Sequence, residues 1–150
     1  MRNRASAVIT RGTSILMERV CYHGNRFYLV PGGGMEAGET PEETALRELF
    51  EECGVRGEII RPLNVVNRLG GATEYFFEVR IPEDATPIRG YDPEEPEDCQ
   101  PIEEVGWKRL DELPEKDRAW LFSAGILEIE SIRNEVQSWG DIISYPNPVF

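Results

Sequence analysis

The chain has 150 residues, of which 40% are hydrophobic and 29% charged, and its formal net charge at pH 7 is −12. These values are typical of one globular domain rather than a disordered or fibrous chain, and no apolar run approaches the roughly 20 residues that a membrane span requires. A surface this acidic repels phosphate polymers, which disfavours a protein that coats DNA or RNA.

The cysteines and the first residues predict a cytoplasmic protein. Cys21, Cys53 and Cys99 are an odd number at wide spacing, which fits a reducing compartment better than a disulfide framework. Arg2 and Arg4 stand near the N-terminus, but no long apolar region follows them, so the pattern is unlike a secretory signal. We interpret these two arginines as solvated residues at the start of a strand.

Three strands are predicted before a glycine-rich segment. Apolar and branched residues predict strands over residues 5–10, 14–20 and 26–30, with a turn between the first two. The run from Pro31 through Gly32, Gly33 and Gly34 then ends the third strand, because proline and successive glycines do not continue a strand ladder easily.

The clearest helix signal follows this segment. Thr40 is a good N-cap, Pro41 suits the first helical position, and Glu43 completes a capping box. Gly54 supplies a C-terminal stop, so the helix is predicted over residues 41–53. Its apolar residues stand at helical spacing and form one stripe: Ala45, Leu46, Leu49 and Cys53.

The remaining elements are predicted from the same rules. Residues 73–81 are rich in aromatic and branched side chains and predict a strand. Residues 82–104 are rich in proline and acid and predict a long loop, a kind of segment that is often functional in small domains. The other predictions are an extended stretch over 55–66 broken by Pro62, a strand over 105–110, a helix over 116–136 and an irregular tail from 139 to 150.

One constellation carries chemistry. Residues 33–55 read Gly-x5-Glu-x7-Arg-Glu-Leu-x-Glu-Glu-x-Gly-Val. On a helix, Glu48, Glu51 and Glu52 share one face, where like charges repel unless an arginine or a cation lies between them. A row of glutamates is usually just a solvated face. Its combination with the glycine-rich turn and the other fixed positions favours a site for a hard divalent cation.

The stretch resembles the signature of the Nudix hydrolase family, and every fixed position matches. The resemblance implies a single-domain α/β (α+β) Nudix fold over residues 1–150, with a mixed β-sheet between helices. It implies that the metal ligands are Glu48, Glu51, Glu52 and the Gly33 carbonyl. It further implies catalytic roles for Glu48, Glu52, Arg47 and Glu39, the last two as orienting residues, and substrate contacts at Gly32, Gly33 and Gly34.

The resemblance also implies the reaction. With Mg²⁺ or Mn²⁺, the protein is expected to hydrolyse the pyrophosphate bond of a nucleoside diphosphate linked to another moiety. We favour a (deoxy)nucleoside triphosphate, cut to nucleoside monophosphate and pyrophosphate. ADP-ribose or a nucleotide-sugar is one alternative, and a Nudix-like module that senses a nucleotide without cutting it is another. Glu48 is the first candidate for the general base. The expected partner is a small nucleotide, and a homodimer is left open.

Two further sets of residues stay open at this stage. Relatives often carry another acid before the strand that contains Trp107, and four acids stand near that place: Glu97, Asp98, Glu103 and Glu104. Recognition of a base needs an aromatic platform with a few polar groups. Five aromatic residues are candidates for it, although each is more often a core or packing residue: Tyr28, Phe76, Tyr91, Trp139 and Tyr145.

Overall fold

Eight strands and three helices are present in the part of the chain that the computed structural model describes, residues 2–91 and 100–140. In chain order they are β1 Arg4–Val8, β2 Thr10–Arg11, β3 Ser14–Tyr22, β4 Asn25–Leu29, β5 Gly32–Gly34, α1 Pro41–Cys53, β6 Glu58–Asn67, β7 Thr73–Arg80, β8 Ile102–Arg109, α2 Glu115–Ser123 and α3 Glu130–Ser138. Among these residues, no helix is both long enough and apolar enough to cross a membrane.

The strands form two sheets. The first has the order β5-β1-β7-β6 and is mixed, because β1 pairs with β7 in parallel while the other two pairings are antiparallel. The second is antiparallel, and β3 at its centre pairs with β2, β4 and β8. The prediction of a mixed α+β fold is therefore confirmed, with a second sheet beside the mixed one.

Alternation along the strands divides the core into two clusters. In β1, Ala5 and Ala7 belong to a cluster that includes Leu49 of α1, whereas Val8 belongs to a cluster that includes Leu121 of α2 and Ile132 of α3. Since neighbouring residues of a strand point to opposite faces, the sheets are covered by α1 on one side and by α2 and α3 on the other.

Helix α1 begins and ends as predicted. The Thr40 hydroxyl accepts a hydrogen bond from the Glu43 amide at 3.1 Å, and the Thr40 amide donates to the Glu43 carboxylate at 3.3 Å. At the other end Gly54 has φ 69, the left-handed conformation that favours glycine. These signals lie within or beside the helix itself, so the sequence alone locates it.

The glycine run ends the third strand as predicted, since β4 stops at Leu29, but the run is itself a strand. Gly32–Gly34 is the short strand β5, which pairs with residues 4–6 of β1. A Cβ at Gly32 would lie against the Ser6 side chain and 2.7 Å from the Ala5 carbonyl oxygen. The absence of side chains is therefore what permits this strand to pair so closely.

Two other predictions in the sheets are wrong. Pro62 does not break the extended segment but lies inside β6, where the pairing with β7 shifts register on both sides of it. Because β6 is an edge strand, a proline there can leave a ladder hydrogen bond unmade. Strand β8 begins at Ile102, inside the predicted loop, because it pairs along β3 from Val20 to Ser14.

The single helix predicted over 116–136 is two helices. Gly125 has φ 88 and interrupts them, and a 3₁₀ turn at Ile126–Glu128 leads into α3. Gly125 also packs against β6, because a Cβ there would lie 2.9 Å from the Leu63 carbonyl oxygen. The chain turns at a glycine, where both the conformation and the contact require one.

Two alanine substitutions separate these requirements. Gly125 and Gly71 have φ of +88 and +87, but nothing lies within 4 Å of a Cβ at Gly71. Both substitutions incur backbone strain of about 1–3 kcal/mol, and Gly125→Ala adds the close contact with β6. We expect Gly125→Ala to lower the free energy of unfolding by more than Gly71→Ala, as measured by denaturant titration. Equal losses would contradict the contact.

Candidate active site

A cleft of about 560 Å³ opens where β1, β3, β5 and α1 meet, a volume suited to a small ligand. Helix α1 contributes Arg47 and the three glutamates of its acidic face to the lining. Most of the predicted site residues thus lie around one cleft. Its lining also includes residues that the sequence did not single out as functional, chiefly Arg2, Arg4, Glu18 and Tyr22.

Glu52 is held by β5 and by a second carboxyl group. The Gly32 amide donates to Glu52 Oε1 at 2.8 Å, and the Glu52 carboxyl is hydrogen bonded to that of Glu18. Burial raises the pKa of Glu52, and the nearby charges of Glu18 and Glu48 raise it further. In the absence of a cation, this carboxyl group therefore holds its proton more tightly than an exposed glutamate does.

Glu18 is the most deeply buried of the cleft residues that sequence reasoning missed. Only 2% of Glu18 is exposed, and burial raises the pKa of its carboxyl group, opposed by the hydrogen bond with Glu52. Its Oε2 lies 3.9 Å from Cys53 Sγ, and burial also raises the pKa of that thiol. The signal was an acidic residue that alternation places on the same strand face as the apolar Leu16 and Val20, since a buried carboxyl needs a partner.

Arg47 connects most of the other carboxyl groups. Its Nε and Nη2 donate to the two carboxylate oxygens of Glu39 at 2.7 and 3.0 Å. Nη1 donates to Glu48 at 3.0 Å and to Glu51 at 3.1 Å, and Nη2 also donates to the Gly34 carbonyl at 3.0 Å. The planar fork therefore fixes α1 to β5 and orients two glutamates of the acidic face.

Glu39 has a structural task at the start of the helix. Besides Arg47, it accepts hydrogen bonds from the Glu36 amide and the buried Thr44 hydroxyl, each at 2.8 Å. The bonds from Arg47 and then from the Glu36 amide lower the pKa of Glu39 to about 2. This carboxylate stays charged, so it holds the preceding turn onto α1.

Glu48 lies directly over the middle glycine of β5. A Cβ at Gly33 would collide with the Glu48 carboxyl group, so the bare backbone forms a cradle for it. Burial raises the pKa of Glu48, while the charge of Arg47 opposes that shift. A partly buried carboxyl at the wall of a cleft is suited to accept a proton.

The donor set fits a hard divalent cation in kind. Within residues 2–91 and 100–140, no three His, Cys, Asp or Glu side chains are already arranged around a metal position, because the carboxyl groups are directed to Arg47 and to the Gly32 amide. The carboxyl groups of Glu18 and Glu52 nevertheless lie side by side in the interior. Such a pair is stable only with a shared proton or a cation.

Two of the four additional acids have other partners. Glu103 pairs with Arg26 at 2.9 Å, and Glu104 pairs with Arg19 at 3.3 Å and with Lys108 at 3.4 Å. Neither glutamate is part of the cleft lining. The other two acids lie outside the described residues: Glu97 and Asp98.

The aromatic candidates separate by burial. Tyr28 and Phe76 are core residues, and Trp139 packs against the same cluster. Tyr91 lines the cleft and is 59% exposed. It is the one of these four that a ligand in the cleft can reach. The fifth candidate, Tyr145, lies outside the described residues.

Arg2 and Arg4 lie at the start of β1 as predicted, Arg2 exposed and Arg4 partly buried, but they also have a place in the cleft. Both line the cleft, and the Arg2 guanidinium carbon is 2.7 Å from a Cβ built on Gly34. Burial raises the pKa of both Glu18 and Glu48, and the charge of Arg4 is among the effects that oppose this rise. A strongly acidic chain thus presents two cationic groups to the same cleft as its buried carboxyl groups.

Known proteins resemble this chain in sequence and in fold. The family model for the NUDIX domain matches residues 1–128. Diphosphoinositol polyphosphate phosphohydrolase 3-alpha of Mus musculus is 53% identical over 38 residues, which are 25% of this chain and 23% of that relative's length. The chain therefore covers less than a quarter of this curated relative.

Solved structures are similar over most of the chain. The MutT NUDIX hydrolase of Burkholderia pseudomallei matches with a TM-score of 0.63 at 24% identity, over 81% of this chain and 96% of that one. A MutT structure from work on Aliivibrio salmonicida and Vibrio cholerae matches with a TM-score of 0.62 at 19% identity, over 89% and 98%. At these identities, the likeness shows the fold.

Replacing Arg47 by lysine tests the orienting role. A lysine lacks the planar fork with which Arg47 contacts three carboxylates and a carbonyl, and loss of such outer contacts weakens metal sites about 10- to 100-fold. We expect Arg47→Lys to weaken Mn²⁺ binding by that factor in calorimetry. The matched control is Arg61→Lys, which makes the same change at an arginine bonded to the Glu78 carboxylate and the Glu128 carbonyl, away from the cleft. Unchanged affinity in Arg47→Lys would refute the role.

The buried carboxyl pair predicts how stability changes with pH without metal. The folded-state pKa values of Glu18 and Glu52 lie above the ordinary 4.5. Their stabilising contribution is therefore complete below pH 4.5 and is lost as the pH rises toward the folded values. Tm measured with a chelator should fall over this window, and less steeply in Glu52→Gln. Glu39, with its pKa of about 2, titrates below the window. Equal slopes of Tm against pH in the wild type and in Glu52→Gln would contradict the pKa shifts of the buried pair.

Proposed function

The chain belongs to the Nudix family, and on that premise we propose that it is a metal-dependent pyrophosphohydrolase that cuts a (deoxy)nucleoside triphosphate into nucleoside monophosphate and pyrophosphate. One observation carries the proposal. The carboxyl groups of Glu18, Glu48 and Glu52 line the same cleft as the guanidinium groups of Arg2 and Arg4. Carboxylates that bind metal and arginines that bind phosphate are the groups that a phosphoanhydride requires.

The acidic face explains why a divalent cation is needed. Carboxylates repel a polyphosphate, so they can share a cleft with it only through metal ions, and Nudix hydrolases use divalent metal ions. We assign Mg²⁺ or Mn²⁺ to Glu48, Glu51, Glu52 and the Gly33 carbonyl, with Gly32 and Gly34 facing the substrate. When bound, the metal neutralises the charge of the pyrophosphate and lowers the pKa of a water molecule.

Glu48 is assigned as the general base. Its carboxyl is fixed between the Gly33 backbone and Arg47 Nη1, and the residue lines the cleft. It accepts a proton from the attacking water as the new O–P bond forms. The bridging P–O bond at the attacked phosphorus breaks, and the other phosphate product leaves with the bonding electrons. Glu52 is held by Gly32 and Glu18, which suits a fixed ligand better than a mobile base.

The arginines favour the triphosphate among the substrates considered. Arg2 and Arg4 add two positive charges beside the metal ligands, and guanidinium groups bind phosphate oxygens in pairs. A triphosphate carries more negative charge than the diphosphate of ADP-ribose or a nucleotide-sugar, so it makes fuller use of these groups. The name of the mouse relative specifies diphosphoinositol polyphosphate, a substrate that has no base.

A substrate screen with a matched pair of variants tests the function. With Mg²⁺ or Mn²⁺, we expect release of pyrophosphate from nucleoside triphosphates in preference to turnover of ADP-ribose, nucleotide-sugars and diphosphoinositol polyphosphate. Glu52→Gln should lose most of the activity while keeping the fold. Glu42→Gln, the same change at an exposed position in the first turn of the same helix, should keep it.

Isotope labelling identifies the phosphorus that is attacked. In H₂¹⁸O, attack on the α-phosphorus puts the label in the monophosphate, whereas attack on the β-phosphorus puts it in the pyrophosphate.

Full activity of Glu52→Gln would refute the metal assignment. Tight metal-dependent binding of nucleotides without any turnover would show that the protein is a nucleotide sensor and not an enzyme.

A further inference from the structure

Strand β3 runs from the buried carboxyl groups to the mouth of the cleft. Glu18, Val20 and Tyr22 all line the cleft, because alternate residues share one face of a strand. At about 3.4 Å per residue, Tyr22 stands roughly 14 Å along the strand from Glu18. The buried carboxyl groups and Tyr22 therefore lie at opposite ends of one cleft.

The ring of Tyr22 is fixed on one side and accessible on the other. It stacks with Phe27 of β4, with ring centroids 6.5 Å apart and planes at 15°. In the register of β3 and β4, Tyr22 stands opposite Asn25 and Phe27 stands opposite Val20, so the two rings are diagonal neighbours on the same face. Tyr22 is nevertheless 52% exposed.

Packing of the hairpin alone does not account for this arrangement. A cross-strand aromatic pair does stabilise a hairpin, but a ring that served only this purpose would gain by being buried. Half of Tyr22 is instead exposed at the wall of the cleft, and Tyr91 presents a second exposed ring to the same cleft. Phosphate groups and metal ions do not stack on exposed aromatic side chains, whereas a heteroaromatic ring does.

We propose that Tyr22, supported from behind by Phe27, is the platform on which the nucleobase of the substrate stacks. The proposal rests on the proposed function and adds the direction of the substrate, with the phosphates at Glu18 and the arginines and the base at the end of β3. Because every base has a flat face, stacking of this kind binds bases without strong preference. Tyr22 is thus a residue that separates nucleotides from other phosphorylated molecules.

Kinetics with and without a base test the platform. Loss of base stacking costs about 5- to 150-fold in affinity per base. We expect Tyr22→Ala to raise KM for a nucleoside triphosphate by that factor with little change in kcat, and to leave KM for a base-free deoxyribose triphosphate unchanged. Tyr22→Phe keeps the ring and should behave as the wild type.

A neighbouring substitution controls for damage to the hairpin. Asn25 is exposed, is absent from the cleft lining and carries no ring, so Asn25→Ser alters the same hairpin while both ring neighbours of Tyr22, His23 and Phe27, stay in place. We expect it to leave both KM values unchanged. Thermal unfolding of each variant shows whether the fold is retained.

The outcomes separate the platform from the function. Turnover of nucleotides by the wild type with equal KM in wild type and Tyr22→Ala would overturn the platform and keep the function. An equal rise of KM for both triphosphates would overturn it too, since the effect would then be structural. Calorimetry with an α,β-methylene triphosphate, which resists cleavage at that bond, measures the same contrast where turnover is absent. Absence of all nucleotide binding by the wild type would overturn both.

Discussion

The close packing of α1 on the glycine strand β5 is the constraint on which the site depends. Each glycine serves a different residue of the helix: the Gly32 amide donates to Glu52, the bare Gly33 lies under Glu48, and the Gly34 carbonyl accepts from Arg47. A side chain at Gly33 would push Glu48 away, and one at Gly32 would separate β5 from β1. The glycines therefore permit a short distance between helix and sheet, and this distance determines the positions of the carboxyl groups.

One short segment gives glutamates opposite properties. Arg47 and the Glu36 amide keep Glu39 charged, whereas burial and neighbouring carboxyl groups favour the protonated form of Glu52. The difference arises from surroundings rather than residue type. The charged residue fixes the turn before α1, and the residue whose charge is unfavourable gains most from a cation. The structural role of Glu39 and the metal-binding role that we propose for Glu52 are thus separated within a single helix and its preceding loop.

The sequence predicted the elements whose determinants are local. The bounds of α1 follow from Thr40, Pro41 and Gly54, and the acidic face follows from helical spacing. Features that depend on a distant partner were wrong or missing. Gly32–Gly34 becomes a strand only because β1 pairs with it, and Glu18 joins the site because β3 lies beside α1. The sequence could not assign roles to Glu103 and Glu104, because their partners lie on neighbouring strands of the second sheet or further along β8. These partners are Arg19, Arg26 and Lys108.

The thiol beneath the site has a use for studying the motion of this fold. Cys53 has no exposed surface and packs between α1 and the first sheet, next to Glu18. Burial keeps it protonated, and only a thiolate reacts readily with alkylating reagents. Its modification therefore requires the C-terminal end of α1 to move away from the sheet, so the rate of labelling measures how often that local opening occurs. Cys53 is thus a built-in reporter of how often the end of α1 moves away from the sheet beside Glu18.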